Sequence, residues 1–482
     1  MFLLRYWNRT NNNEALNMVE QTLTNMRHGG LFDQIGYGFH RYSTDQKWLV
    51  PHFEKMLYDQ AMLIMAYTEA WQATNNNLFR QTAQEIIEYV LRDLQDSDGA
   101  FYSAEDADSE GEEGKFYLWS ISEIRDLLPA ADAELAIEVF NMTEEGNYED
   151  EATRQRTGKN ILHLSKPIVD LAEERNLSKE QLSLKLQNIR TTLLEAREHR
   201  VRPLLDDKIL TDWNGLMIAA LAKAGRAFDE SSYINEAKRS LSFINKTLLS
   251  EKQLLHRYRD DEAAIHAHAD DYSFLIWGLY ELYESTFETE FLKQALNLQE
   301  DFIANFWDEE TGGFFFTAHK SEKLLGRTKE VYDGALPSGN SIAMLNLLRL
   351  GRITGNTDWE QKADSMNKLF SSQVSQAPTG FGQLLQALDF ELGISYEVTI
   401  AGKKAASDTQ KMLKTLYHSF SPNKVVVLND PDDSEINKLA PYTKNQAMKN
   451  GKATAYVCEN YSCKAPTNDP KIMLKELTSP SN

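Results

Sequence analysis

Cysteine is almost absent from this sequence. Cys458 and Cys463 are the only two in 482 residues, a density far below that of small secreted domains held together by disulfides. Their C-x4-C spacing matches no standard zinc site. We therefore predict two reduced thiols, one packed in a strand and one in the turn after it, with a redox pair as the alternative.

Long apolar runs are absent as well. The run AMLIMAY at 61–67 is typical of the longest ones, and it falls well short of the ~20 residues that a membrane-spanning helix needs. The first residues, MFLLRYWNRTNNN, lack the longer apolar core and the small-residue cleavage site of a secretory signal. We expect no transmembrane segment and a cytoplasmic location.

Basic residues are in deficit. The chain has 51 Lys and Arg against 72 Asp and Glu, which gives a formal net charge of −21. Such a field repels polyanions, so nucleic acid and anionic membranes are not expected as partners. There is no Walker loop, and GYGFHR at 36–41 lacks the spacing of a dinucleotide-binding loop. We predict a small sugar-like ligand and no cofactor.

What the sequence does have is a regular alternation of helices and turns. To about residue 390 the periodicity is helical, and short polar turns alternate with long, chemically rich connections. The pattern predicts six helical hairpins, at 2–28, 52–95, 118–199, 212–248, 268–306 and 340–371. Six antiparallel pairs close into a double ring, so we predict a mainly α fold, an (α/α)6 toroid over 1–392.

The apolar pattern also predicts which helix of each pair is the inner one. The segments 213–224 and 340–350 are apolar nearly all round, whereas 232–246 has one apolar stripe. The first helix of each pair is therefore predicted to line the inside. Beyond this region, strand-like segments at 396–402, 424–430 and 453–460 and a helical segment at 408–420 predict a small α/β unit over 393–482.

If the long connections meet at one end of the toroid, they bring polar and aromatic side chains to the first turns of the inner helices. Unpaired N–H groups at helix N-termini favour hydroxyl, carbonyl or anionic groups of a ligand, which suits a sugar. N-capping alone is the alternative explanation for Thr211, Asp212, Asp270 and Ser338. The predicted substrate-binding residues are Arg41, Tyr42, Glu54, Asp59, Glu105, Asp212, Trp213, Asn214, Asp271, Tyr272, Asp333, Ser338 and Asn340.

Histidines in the same connections supply candidate proton-transfer groups. We predict His40, His52 and His268 as catalytic candidates, because imidazole titrates near neutral pH. A carboxylate pair such as Asp106 with Asp270 could instead serve a glycoside hydrolase. His266 and His268 lack a convincing third ligand, so no metal site is predicted.

Several long segments resemble one known family, the spermatogenesis-associated, thioredoxin-domain-containing proteins of the YyaL type. The segments are GGLFDQIGYGFHRYSTDQKWLVPHFEKMLYDQA (29–61), FYSAEDADSEGEEGKFYLW (101–119), TDWNGLM (211–217), ADDYSFLIWGLYELYE (269–284), DGALPSGNSIAMLNLLRL (333–350) and YVCENYSCKAP (456–466).

This resemblance implies a toroid similar to N-acylglucosamine 2-epimerases and six-hairpin glycosidases, and a place in carbohydrate metabolism. Family members usually begin with a thioredoxin-like domain, whereas this sequence starts inside the first toroid helix. A thioredoxin-like domain supplied by a separate chain is therefore a possible partner. The leading expectation is a sugar isomerase or epimerase. The alternatives are a glycoside hydrolase and a non-catalytic binding or scaffold partner of a thioredoxin-like domain.

Overall fold

The computed structural model describes residues 1–149, 155–250, 253–320 and 326–478. Its α-helices are α1 (Phe2–Thr10), α2 (Asn13–His28), α3 (Leu57–Thr74), α4 (Asn77–Tyr89), α5 (Ile121–Leu127), α6 (Ala130–Val139), α7 (Ile168–Glu173), α8 (Lys179–Arg197), α9 (Thr211–Phe228), α10 (Ser231–Thr247), α11 (Ala269–Thr286), α12 (Thr289–Phe306), α13 (Gly339–Thr354), α14 (Thr357–Gln376), α15 (Gly382–Leu392), α16 (Ser407–Tyr417), α17 (Ile436–Leu439) and α18 (Pro470–Thr478).

The strands are short except in the C-terminal unit and in one hairpin between α10 and α11. They are β1 (Tyr42–Ser43), β2 (Pro51–His52), β3 (Lys55–Met56), β4 (Ala104–Glu105), β5 (Asp108–Ser109), β6 (Glu112–Glu113), β7 (Leu205–Asp206), β8 (Ile209–Leu210), β9 (Leu249–Ser250), β10 (Gln253–Arg259), β11 (Glu262–His266), β12 (Tyr396–Ala401), β13 (Lys424–Asn429), β14 (Thr454–Glu459) and β15 (Ser462–Cys463).

Six helices of the described chain form a closed inner ring, in the order α1, α3, α9, α11, α13 and α15, with α15 packed back on α1. Helices α2, α4, α10, α12 and α14 lie outside it, each against the inner helix that precedes it in sequence. Helices α9, α11 and α13 are buried on almost every face. This confirms the predicted (α/α)6 toroid, and the first helix is the inner one in five of the six predicted pairs.

Two-residue turns join five inner helices to the outer helices that follow them. Each turn begins with a left-handed residue at φ between 54° and 75°, namely Asn11, Asn75, Asp229, Phe287 and Gly355. In three of the turns the next residue is an asparagine whose side chain caps the outer helix. Asn, Asp and Gly tolerate this conformation, which explains the recurring polar turn sequences.

One predicted hairpin takes a different place. Helices α5–α8, within 118–199, pack on one another around a separate hydrophobic core and contribute no helix to the inner ring, because α3 contacts α9 directly. The sixth inner helix is instead α15, which lies beyond the predicted hairpins. Helices 118–199 therefore form an excursion inside one long connection.

A repeated side-chain bracket fastens three of the long connections to the inner helices. The amides of Gln60, Asn214 and Asn340 each accept a hydrogen bond from a backbone N–H and donate one to the carbonyl of the same residue. The bracketed residues are Phe39, Phe101 and Phe314, respectively. Three connections are thus fastened in the same way to the first turns of α3, α9 and α13.

Small sheets then tie the long connections to one another at the same end of the ring. Strands β3, β4 and β7 form one sheet that joins the connection before α3 to the long connection between α4 and α9. Strand β10 pairs with both β8 and β11 and so joins that long connection to the one between α10 and α11. We call this end the mouth, and the end with the two-residue turns the base.

The C-terminal unit packs against the base. Its sheet has the order β13-β12-β14-β15, in which only β12 and β13 are parallel, with α16 as the crossover between them. Register places Cys458 opposite Cys463, and the two form a disulfide. The prediction of two reduced thiols is therefore wrong, because cross-strand pairing brings the sulfurs together across a tight turn. Among the described helices, none has the length and apolarity needed to cross a bilayer.

Candidate functional site at the mouth of the toroid

A continuous set of polar and aromatic contacts crosses the mouth. On one side Tyr58, in the first turn of α3, meets the half-buried Trp213 of α9 edge to face, with ring centroids 4.8 Å apart. Asp212 accepts a hydrogen bond from the N–H of Trp213 at 2.8 Å. The N–H of Asp212 in turn donates to Asp271 of α11 at 3.1 Å. The first turns of three inner helices are therefore linked directly.

Asp271 is the centre of the side of the mouth formed by the start of α11, which we call the far wall. Its carboxylate forms a hydrogen bond with Nδ1 of His256 at 2.9 Å and accepts one from the backbone N–H of His268 at 2.7 Å. The Asp271 side chain has no exposed surface. The rings of His256 and His268 lie edge to face at 5.1 Å, and His268 also stacks on Phe316. Both imidazoles keep an exposed fraction, 21% for His256 and 27% for His268. They can therefore meet a ligand at the mouth.

The charges of this wall are set by burial and by one buried anion. Burial opposes ionisation of Asp271, but the hydrogen bonds from His256 and His268 keep its pKa below the usual value. Burial alone would lower the pKa of His256, yet its hydrogen bond to Asp271 raises the pKa to about 9. Burial and the negative charge of Asp271 raise the pKa of Asp212 well above its ordinary value. The arrangement thus favours an imidazolium at His256, a carboxylate at Asp271 and the protonated form of Asp212.

Asp270 extends the wall to one more inner helix, α13. Its carboxyl group accepts a hydrogen bond from the N–H of Gly339 at the start of α13. A Cβ at Gly339 would lie 2.3 Å from Oδ1 of Asp270, so this close approach requires glycine. Burial and the neighbouring Asp271 raise the pKa of Asp270 to about 7. This carboxyl group is therefore poised to exchange a proton near neutral pH.

A second acidic group lies on the side of the mouth that carries Tyr58, which we call the near wall. Burial raises the pKa of Asp59, next to Tyr58 in α3, to about 8, and its Oδ2 is buried without a hydrogen-bond partner. Arg41 bonds to Glu54 at 2.8 Å and to the Tyr58 side chain. Glu54 also contacts Nε2 of His52 at 3.0 Å, while Glu113 holds Nδ1 at 2.7 Å. Tyr42, 51% exposed, lies against the His52 ring.

Among the residues that the structure describes, one set of side chains at the mouth could ligate a metal. The ligand atoms of His256, His268 and Asp271 lie within 4.8 Å of one another. His266, the partner considered for His268 from the sequence, is exposed and contacts Gln253 instead.

Several predicted site residues lie away from the mouth or are fully used by the fold. His40 is 3% exposed and bonds to the Phe53 carbonyl, and burial together with the nearby Lys55 lowers its pKa to about 3. Buried Glu105 accepts from Tyr89 and Arg202. Tyr272 packs on Phe302 and Phe306 beside a separate cavity of about 230 Å³. These side chains are engaged in contacts within the fold.

Capping and bracketing account for another group of candidates. Asn214 and Asn340 are the amide brackets, and Ser338 caps α13 through the N–H of Ser341. Asp333 accepts from the N–H groups of Ser338, Gln383 and Leu384, and so positions α13 and α15 together. Asp106 is exposed, its carboxylate contacts the N–H of Asp108, and no described contact joins it to Asp270.

Comparison with known proteins gives one sequence relationship. The chain is similar to spermatogenesis-associated protein 20. It is 34% identical to the human protein over 99% of this chain and 65% of that protein. It is also 30% identical to the uncharacterized protein B0495.5 of Caenorhabditis elegans, over 94% of this chain and 65% of that protein. The chain thus spans about two thirds of the length of these relatives, and no family model matches it.

Solved structures provide weaker likenesses. A sugar epimerase from a ruminal bacterium aligns at 11% identity and a TM-score of 0.45, over 75% of this chain and 72% of that chain. Cellobiose 2-epimerase from Bacillus thermoamylovorans aligns at 10% identity and a TM-score of 0.39, over 91% and 90%.

Two residues of the mouth were missed by sequence reasoning. His256 lies in β10, inside the long connection 249–267, where the sequence QLLHRYRDDEAAIH has the alternation of a hairpin around a polar turn. This pattern indicates a hairpin, but pairing with β8 as well as β11 is what brings His256 to the start of α11. Tyr58 was not among the predicted residues, although it stands next to the predicted Asp59 and its ring borders the mouth.

Proposed function

We propose that the chain is a carbohydrate-active protein of the spermatogenesis-associated protein 20 type, and that its mouth catalyses sugar isomerisation or epimerisation by proton transfer. The observation that carries this proposal is the pairing of His256 and His268 around the buried carboxylate of Asp271. The charged imidazole of His256 can act as an acid, and the imidazole of His268 can act as a base, on neighbouring atoms of a bound ligand.

The near wall suits the ligand that this chemistry requires. Trp213 and Tyr58 offer apolar ring surface beside Arg41 and the acidic groups, an arrangement suited to a sugar ring with its hydroxyls directed to polar side chains. In the proposed reaction His268 removes the proton on the carbon next to the sugar carbonyl. His256, held charged by Asp271, protonates the carbonyl oxygen, and Asp212 or Asp270 orients the hydroxyls.

Solvent exchange tests this proposal directly. The protein is incubated with a panel of free aldoses, ketoses and N-acylhexosamines in deuterated water, and each sugar is examined by mass spectrometry and NMR. We expect one deuteron next to the carbonyl of the substrate. We expect His268→Gln and His256→Gln each to slow the exchange by at least about 100-fold.

His266→Gln is the matched control, because His266 is exposed and lies outside the cluster. It should exchange deuterium at the wild-type rate. A sugar that raises the melting temperature without acquiring deuterium would contradict the proposed reaction.

Glycoside hydrolysis is the second candidate, and Asp59 favours it. Its raised pKa and unpartnered Oδ2 beside the Tyr58–Trp213 platform are properties of a general acid. Nitrophenyl glycosides and defined oligosaccharides test this activity. Hydrolysis should be lost in Asp59→Asn and retained in Asp106→Asn, whereas equal losses in both variants would contradict it.

A role beside a thioredoxin-like domain supplied by another chain remains a proposal that rests on the family resemblance. It predicts that a recombinant thioredoxin-like domain from a longer relative binds this chain and that binding survives His256→Gln. Absence of binding at about 100 μM of each protein would count against this partnership.

A further inference from the structure

The disulfide lies far from the mouth, at the tip of the hairpin formed by β14 and β15. Cys458 and Cys463 face each other across two strands joined by the left-handed residues Asn460 and Tyr461. Cys458 is 2% exposed, whereas Cys463 is exposed to solvent. A dissolved thiol therefore meets the Cys463 side of the bond first.

One buried side chain is adapted to both oxidation states. The amide nitrogen of Gln446 donates to the sulfur of Cys463 at 3.5 Å and to that of Cys458 at 3.8 Å. Its Oε1 is buried without a hydrogen-bond partner, and the residue is 8% exposed. A buried acceptor without a partner is costly. Rotation of the amide by about 180° would turn Oε1 to the place that the nitrogen now occupies beside the sulfurs, where the S–H of a reduced cysteine could donate to it. A disulfide has no hydrogen to donate, so this side chain favours the dithiol state.

The hairpin tip is also connected to the toroid. The N–H of Tyr461 donates to Glu397, which forms an ion pair with Arg352 in the last turn of α13. The hydroxyl of Tyr461 donates to the carbonyl of Arg352 at 3.1 Å. A bulky residue at φ 60° is uncommon and needs such support. Opening the disulfide removes one constraint on this turn, so its effect reaches an inner helix.

We propose that Cys458 and Cys463 form a redox-active pair that an external dithiol reduces by attack at Cys463. A thiolate of the dithiol forms a bond to the Cys463 sulfur, the Cys458–Cys463 bond breaks, and Cys458 leaves as a thiolate that takes up a proton. The second thiolate of the dithiol then attacks the dithiol's first sulfur, which is bonded to Cys463 in the mixed disulfide. The bond to Cys463 breaks, and Cys463 leaves as a thiolate that is protonated. Two electrons and two protons pass to the chain, and the dithiol becomes a disulfide.

Dithiothreitol is the probe for the first test. The native protein is equilibrated in graded ratios of reduced to oxidised dithiothreitol, alkylated, and weighed by intact mass spectrometry, while circular dichroism reports folding. We expect complete reduction without loss of helical signal, and faster hydrogen exchange in 351–355 after reduction. A disulfide that is reduced only after the chain unfolds would overturn the proposal.

Single-cysteine variants locate the attacked sulfur. Cys458→Ser leaves the exposed Cys463, and Cys463→Ser leaves the buried Cys458. With an aromatic disulfide reagent, we expect Cys458→Ser to react at least about 10-fold faster. Equal rates, or a faster reaction of Cys463→Ser, would overturn the assignment to Cys463.

Gln446→Leu tests the adapted environment and separates a redox role from a purely structural one. Loss of the buried acceptor should shift the dithiothreitol equilibrium toward the disulfide by about 5-fold or more, with Gln410→Leu as the surface control. An unchanged equilibrium would contradict the role given to Gln446.

Discussion

At the scale of single residues, the mouth is defined by acids that do not all ionise. Asp212 and Asp271 are buried side by side, and only Asp271 has a basic partner within hydrogen-bonding distance. Two adjacent buried carboxylates cannot both carry charge without a large cost. The pair therefore stores one proton beside His256, which gives the wall an acid and an ion pair at neutral pH.

His256→Gln should reveal this ion pair through the pH dependence of stability. The pKa of His256 is about 9 in the folded chain against 6.5 for an unperturbed histidine. Its stabilisation is thus complete below pH 6.5 and disappears as the pH rises through 9. We expect the variant to lose about 2 kcal/mol of unfolding free energy at pH 6 and much less at pH 10, by urea denaturation. A loss that is the same at both pH values would show that the charge of His256 plays no part.

Trp213→Ala should weaken binding of whichever sugar raises the melting temperature most. Loss of one aromatic platform is worth about 0.5–1.5 kcal/mol, so we expect a Kd about 3- to 10-fold higher by calorimetry. Trp213→Phe keeps an aromatic ring and should recover most of the affinity. If both variants bind like the wild type, the ligand does not use this ring.

Residue identity alone could predict which segments line the mouth, but only in part which side chains face it. His268, Asp212 and Asp270 were predicted because they follow long connections. His256 was missed because its position depends on β10 pairing with both β8 and β11, a long-range register that local periodicity does not encode. The disulfide was missed for a different reason, because it is a local pairing that depends on the tight turn between β14 and β15.

At the scale of elements, the amide brackets explain why the long connections return to the inner helices at fixed positions. Gln60, Asn214 and Asn340 are all buried, and each satisfies both backbone groups of one phenylalanine. Buried backbone groups need partners. Each of these phenylalanines lies in an isolated β-bridge, and the bracket supplies partners for the two backbone groups that the bridge leaves unpaired.

Asn340→Ala should destabilise the chain by about 2–4 kcal/mol, because it leaves the N–H and the carbonyl of Phe314 and the carbonyl of Glu330 without their partner. Urea denaturation measures the change. Asn76→Ala is the control, since Asn76 is an exposed cap of α4 whose loss costs about 1 kcal/mol. Similar costs for the two variants would argue against a special role for the bracket.

Helical periodicity predicted most inner helices but could not tell a ring helix from a peripheral one. Helices α5–α8 have apolar faces because they cover their own core, so their pattern resembles that of a hairpin. Helix α15 is short and follows a 3-10 turn at Pro378–Gly380, which concealed its place in the ring. Packing partners, which a single sequence does not show, decide between these roles.

At the scale of the whole molecule, charge is arranged along the axis of the toroid. Asp59, Asp212, Asp270 and Asp271 lie in first turns of inner helices, at the mouth. The cations Lys223, Arg226 and Arg349 lie towards the opposite ends, paired with Glu69 and Glu281. This placement matches the positive N-terminal and negative C-terminal ends of the helices. The helix dipoles therefore explain in part why acidic side chains gather at the mouth, without reference to any ligand.

Glu284 should be essential for the union of toroid and C-terminal unit. Its Oε1 accepts hydrogen bonds from Tyr280 of the ring at 2.6 Å and from the N–H of Val426 in β13 at 3.1 Å. We expect Glu284→Ala to cost about 3–5 kcal/mol and to separate one calorimetric transition into two, because a buried, paired charge is removed at the junction.

The exposed Glu288, four residues further along, pairs with Lys238 and provides the control. Glu288→Ala should change stability by less than about 1 kcal/mol. A single sharp transition in Glu284→Ala would show that other contacts hold the two parts together.

The two-residue turns at the base have a consequence for how such a protein can diversify. One residue inserted between α9 and α10 would disrupt the two-residue turn, and a residue added within α10 would rotate the rest of its apolar stripe by about 100° away from the core. The mouth has no such restriction, as shown by the whole group of helices accommodated between α4 and α9. Relatives of this chain should therefore differ in length at one face only, so that new ligand specificities arise there by exchange of loops while the cylinder stays unchanged.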